Sequence, residues 1–180
     1  CQPPSLAGQQ EFAFRHHLLH QVCYERVLRR VKVPAHAQVA QWLAEQPGER
    51  PLDLIAEHHE RGGQRELAAD AWQRAAEAAS ARYANEQALA HAQRALQLVP
   101  ADALERRYAL VFLRVDAMGV RADDARLEAE LSALEALAEQ LDDGRQARVA
   151  LRRAVHLERR GHIEESLRLA ESVWHRVATG

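Results

Sequence analysis

Apolar residues recur at steps of three and four along nearly the whole chain, the spacing that gathers them on one face of an α-helix. Leu18, Leu19, Val22, Cys23, Val27 and Leu28 form the first such stripe. Pro34 is expected to interrupt it, because a proline inside a helix cannot donate its backbone hydrogen bond. Val39, Trp42 and Leu43 continue in a second stripe, and Gln46-Pro47-Gly48 reads as a stop. Pro51 suits the first turn of a helix whose inner face is Leu52, Ile55 and Ala56, ended by Gly62-Gly63. A helix over about 64–82 carries Leu67, Ala71, Trp72, Ala75 and Ala78. The next, over about 86–99, has Asn85 as expected N-cap and Pro100 beyond its end. Asp102 is the expected N-cap of the following helix (101–118), and Gly119 its C-terminal residue. Regular leucines mark 123–141, and helices over 145–160 and 163–178 complete the series. Before all of these, Glu11-Phe12-Ala13-Phe14 alternates briefly and is expected to be a short strand.

Short turns between helices of this length favour antiparallel neighbours. The helices pair as 64–82 with 86–99, 101–118 with 123–141, and 145–160 with 163–178. First helices then start roughly every 40 residues, near the period of two-helix solenoid repeats. Helix 51–62 is an alternative partner for 64–82, and spacing alone leaves that choice open. The chain divides into a flexible leader (1–10), an entry segment (11–50) and a repeat region (51–180).

Composition narrows the function classes. Apolar residues make up 47% of the 180 residues and charged residues 28%, an ordinary balance for a folded chain. Aromatics are only 5%, so the core must be built from Ala, Leu and Val, which suits closely packed helices. The formal net charge of −2 gives no general attraction to nucleic acid or anionic membranes. No apolar run approaches the roughly 18 residues that span a bilayer. With two cysteines, Cys1 and Cys23, a reduced cytoplasmic setting is the simpler expectation. The first residues lack the features of a signal peptide, and the chain is expected to be a piece of a longer protein.

Candidate chemistry is sparse. His16 and His20 stand four apart, but zinc sites want three or four protein ligands, and no Cys-x-x-Cys or His-Glu-x-x-His occurs. No metal is expected, with His16 packed under a neighbouring helix and the other histidines solvated. Cys23 shares the stripe of Leu19 and Val27, which suggests a buried thiol and no nucleophile. Arg26, Arg29, Arg30 and Lys32 form a basic cluster that reads as a solvated face or a contact to an acidic domain. Nucleic acid is not the expected partner. Trp72 and Trp174 read as core anchors. No Gly-x-x-x-x-Gly-Lys-Ser/Thr loop is present, and no cofactor is expected.

Two stretches resemble known families. Arg61-Gly62-Gly63-Gln64-Arg65-Glu66-Leu67-Ala68 and Arg160-Gly161-His162-Ile163-Glu164-Glu165-Ser166 resemble the turn and second helix of tetratricopeptide repeats. Gly161 and Ser166 match that family's helix-ending Gly and its small contact residue, as do Ala88 and, less closely, Ala68; Pro100 alone matches its closing Pro. Phe14-Arg15-His16, Leu19, Val22, Tyr24-Glu25-Arg26, Leu28 and His36 resemble a stretch in STAND-type signal-transduction ATPases, including those linked to cyclases and transcription regulators. There a nucleotide-binding domain is followed by a winged-helix-like segment and then by repeats. The resemblance implies an all-α, right-handed superhelix of helix pairs entered through a winged-helix-like remnant, with nucleotide chemistry upstream. The expected function is a non-catalytic interaction or sensor arm, partnered by other proteins or by the upstream ATPase domain. The expected groove residues are Gln73, Glu77, Arg106, Arg107, Arg114, Arg148 and Arg152. The alternatives are a sensor for a small-molecule effector, stacked on Trp72, Tyr83 or Tyr108, and a DNA-associated regulator using the basic helix.

Overall fold

A computed structural model describes residues 14–48, 50–119 and 124–179. These residues form α1 (His17–Arg26), α2 (Arg29–Glu45), α3 (Leu52–Arg61), α4 (Arg65–Ala81), α5 (Asn85–Leu98), α6 (Leu104–Met118), α7 (Asp124–Ala138), α8 (Asp143–Arg159) and α9 (Ile163–Thr179). No strand occurs among the described residues, and none of their helices is long and apolar enough to cross a membrane. The leader (1–10), residues 11–13 of the expected strand and residue 123 of the expected helix 123–141 lie outside the described residues.

From α2 onward each helix packs against its neighbours in sequence, and α4 also reaches α6. Small residues set the closest approaches. Ala68, Ala75 and Ala79 of α4 and Ala88, Ala92 and Ala95 of α5 are all buried, and without longer side chains between them the two backbones can draw together. One apolar cluster runs from Leu43 on α2 through Ile55, Trp72 and Ala92 to Leu110 on α6. A second joins Tyr108, Val111 and Val115 of α6 to Leu127, Leu131 and Leu134 of α7 and Val149 of α8. Helix α6 belongs to both, which makes the core a continuous seam.

Three helix ends are built alike. Residues 63, 83 and 161 have positive φ (72°, 59° and 81°). In each case the next amide donates back across the turn at 2.9 Å: Gln64 to the His59 carbonyl, Ala84 to Ala79, and His162 to Leu157. This is the Schellman closure, in which a left-handed residue lets the chain satisfy the last helical carbonyls. Five residues beyond each left-handed position a small side chain is buried: Ala68, Ala88 and Ser166. The Ser166 hydroxyl donates to the Ala154 carbonyl at 2.8 Å, pinning α9 to α8.

Several local expectations are corrected. The first helical break falls at Val27 and Leu28, which are extended, and Pro34 lies inside α2. Pro34 is exposed, so water can serve the carbonyl its missing N–H leaves open, while burial of Ala40 and Leu43 holds the helix. Asn85 and Asp102 do not cap: Ala84 and Ala103 occupy the N-cap positions without side-chain bonds. Asp142 does cap, accepting from the Arg145 amide at 2.8 Å, so α8 begins two residues earlier than expected. The α1 stripe is not a core. α1 has no buried residue, and Leu18, Leu19 and Leu28 are more than half exposed. Cys23 is accordingly an exposed free thiol. Leu67 faces out while Ala68 is buried, and Trp174 is 72% exposed against 5% for Trp72. The α9 tryptophan has no following helix against it among the described residues.

Candidate interaction surface

Most of the expected groove arginines serve the fold. Arg106 on α6 lies 2.5 Å from Asp70 and 3.3 Å from Glu66 of α4, and its Nε donates to Gln73 at 2.9 Å. Gln73 in turn donates to Glu77 at 3.0 Å. Arg114 pairs with Glu130 of α7 and donates to Gln93 of α5 at 2.5 Å. Arg107 donates to the Val99 carbonyl at 3.5 Å. Arg152 on α8 pairs with Asp116 of α6 at 2.8 Å. These are clamps between one helix and another, and those of Arg106 and Arg152 skip a helix in the sequence. Sequence reading placed them outward from the helical period, which says nothing of a carboxylate arriving from another helix.

One group does converge. Tyr108 and Phe112, one turn apart on α6, stack with centroids 5.9 Å apart. Arg145, Arg148 and Arg152, on one side of α8, lean over them. The Arg148 guanidinium lies 4.6 Å from the Phe112 ring centre, Arg152 lies 5.2 Å from the same ring, and Arg145 lies 5.6 Å from that of Tyr108. Positive charge over a ring face is attracted to the ring quadrupole, and the flat guanidinium stacks on it. Arg145 also pairs with Glu105 and with its own cap, Asp142. Arg148 has no carboxylate partner among the described residues. The α6–α8 cleft so formed has a volume of about 540 Å³ and is lined by Glu105, Tyr108, Phe112, Arg145 and Arg148. Burial raises the Tyr108 phenol pKa, opposed by Arg148 and Arg145. The phenol therefore stays protonated at neutral pH and donates to the Arg145 carbonyl at 3.4 Å.

Sequence reading put Arg148, Arg152 and Tyr108 among the candidate contact residues but not Arg145 or Phe112. The signal was present: cations at steps of three and four opposite aromatics four apart.

The other candidates divide. Trp72 is buried, stacks on His91 at 5.2 Å and donates to Glu60 at 3.1 Å, so its ring faces are not free for a ligand. Tyr83 is 88% exposed on a turn. His16 and His20 are both exposed, against the expected packing of His16, and His20 stacks on Tyr24 at 6.1 Å. His36 and His58 are not simply solvated, since they hydrogen-bond to each other. No group of three or more His, Cys, Asp or Glu able to hold a metal occurs among the described residues. In the basic cluster Lys32 lies 4.3 Å from the Tyr24 ring centre, while Arg26, Arg29 and Arg30 are exposed.

No protein-family model, curated protein or solved structure matches this chain.

Proposed function

We propose that this chain is the non-catalytic interaction arm of a larger ATPase-linked signalling or transcriptional regulator. In this reading residues 51–180 form tetratricopeptide-like repeats in a right-handed superhelix. Residues 11–50 bridge them to a winged-helix-like segment and an upstream nucleotide-binding domain. The observation that carries the reading is the thrice-repeated turn: a left-handed residue at 63, 83 and 161, the same closing bond, and a small buried residue five positions on. A chain that reuses one hairpin joint builds a surface by stacking units. The α6–α8 cleft supplies the contact, with Arg148 and the Phe112 ring as its anchor. Arginine and aromatic side chains dominate the energetics of protein interfaces.

The test is binding between this chain and the domain encoded immediately upstream in the same reading frame, measured by biolayer interferometry with and without ATP. Nucleotide-dependent binding that Arg148→Glu weakens, at unchanged thermal stability, supports the proposal. An upstream segment without a phosphate loop, or binding indifferent to Arg148→Glu, overturns it.

A further inference from the structure

A second cleft, about 640 Å³ in volume, opens between the α2–α3 connection, α4 and α5. Its floor is Ala75 and Ala78, and Pro51 and Leu52 form one wall. The small side chains of α4 give it depth. Around this apolar base stand Arg50, Arg74, Arg82, Gln87, His91 and, as the single carboxylate among the described residues, Asp53.

The arginines here differ from those that clamp helices. Arg94, Arg106, Arg114, Arg152 and Arg153 each meet a carboxylate on another helix. Arg50 and Arg74 meet none among the described residues. The Arg82 side chain donates to the neutral amide of Gln87 at 3.3 Å and meets no carboxylate among the described residues. Asp53 already accepts from the Leu54 amide at 2.9 Å. His91 is kept neutral: burial lowers its pKa, and Arg82 adds to this against the pull of Asp53. Among the described residues the lining therefore sets three guanidinium groups against one carboxylate.

We infer that this cleft binds the phosphate group of a small phosphomonoester, held by Arg50, Arg74 and Arg82 with the organic part against Pro51, Leu52 and the alanine floor. A phosphate group offers three strong acceptor oxygens and a charge of about −1.5 to −2 at neutral pH, against two oxygens and one charge for a carboxylate, so it can engage all three guanidinium groups. Guanidinium forks suit tetrahedral oxyanions. The volume falls in the range of roughly 300–1,000 Å³ usual for small-ligand sites. This inference is independent of the interaction-arm reading, since the cleft lies on other helices.

The experiment is NMR titration of the full chain with inorganic phosphate, ribose 5-phosphate, ribose and a phosphoserine hexapeptide, following the His91 ring resonances. Saturable binding of ribose 5-phosphate, absent for ribose, with an upward move of the His91 titration, is the expected result. Arg74→Gln with Arg82→Gln should weaken it by roughly tenfold or more, the scale of one lost charge-assisted hydrogen bond. Arg148→Gln, in the other basic cleft, should leave it unchanged. Both variants change exposed side chains, and circular dichroism checks their folding. The inference fails if ribose 5-phosphate does not saturate at millimolar concentration or if the double variant binds as well as the parent. It also fails if Arg148→Gln weakens binding equally, or if only the phosphopeptide binds.

Discussion

His36 on α2 and His58 on α3 face each other through their Nδ1 atoms at 2.9 Å. The far nitrogen of His36 lies 2.7 Å from the Tyr24 hydroxyl of α1. A single proton lies between the two facing nitrogens, so the pair holds only while at least one ring is neutral. The surroundings favour neutrality. Burial lowers both pKa values first, and Arg61 adds to this at each ring. Lys32 acts further on His36, while at His58 the facing His36 and the adjacent His59 lower it and Glu57 opposes. This bridge ties α1, α2 and α3 together where α1 has no buried apolar residue of its own.

Stability should therefore decline on mild acidification. Both folded pKa values lie below the ordinary 6.5, so between them and 6.5 the unfolded chain binds more protons. The contribution is fully present above pH 6.5 and is lost as pH falls through the lowered folded values. His91, shifted the same way, adds to the slope. Thermal melts from pH 7.5 to 5.0 should show a falling midpoint, and His36→Gln should flatten that fall. A midpoint independent of pH would refute this.

Arg114 and Glu130 form the most enclosed ion pair, with side chains 12% and 15% exposed. Removing one partner leaves a largely buried charge alone, so Arg114→Met should cost about 3 kcal/mol. The double change with Glu130→Met should recover most of that loss, because an apolar pair of similar volume avoids the desolvation cost. Arg114 Nε is buried without a partner, a further reason the methionine pair should be tolerated. Urea unfolding of the four proteins of the cycle measures the coupling.

Two helix-ending glycines should fail for different reasons. A Cβ at Gly62 would stand 2.9 Å from the Ala37 amide nitrogen and 3.0 Å from the His58 carbonyl. Gly62→Ala should force α3 away from α2 and cost about 2 kcal/mol. At Gly161 a Cβ meets nothing within 4 Å, but φ is +81°. Gly161→Ala should cost about 1 kcal/mol through backbone strain alone, and Gly161→Asn less, since Asn tolerates that region. Gly62→Asn should show no such relief. Denaturation midpoints of the four variants separate the two causes.

Tyr83 occupies the same kind of turn with φ of 59° but has a side chain that dislikes it. The ring is almost wholly exposed, so little packing would be lost on its removal. Tyr83→Gly should stabilise the protein by about 1 kcal/mol, raising the melting midpoint by roughly 2–4 °C for a chain of this size. A lower midpoint would mean that the tyrosine makes a contact worth more than its strain.

The helical character of this chain was legible from its period-3.6 stripes, and the stops at Gly62-Gly63, Pro100 and Gly161 were legible because turn chemistry is local. Small residues at helical spacing were also legible on the helix that became α4, but whether 51–62 or 86–99 is its partner stayed open, and α4 packs on both. What only the tertiary structure decided was which polar residues were spoken for. Arg106 and Arg114 look the same as Arg74 and Arg82 in the sequence, all cations on helices. The first two meet carboxylates 36 and 16 residues away, and the last two meet none among the described residues. The apolar stripe of α1 was likewise misread as core, because periodicity marks a face without saying whether anything covers it. Pairing across helices depends on their relative placement, a property of the packed chain that no local window contains.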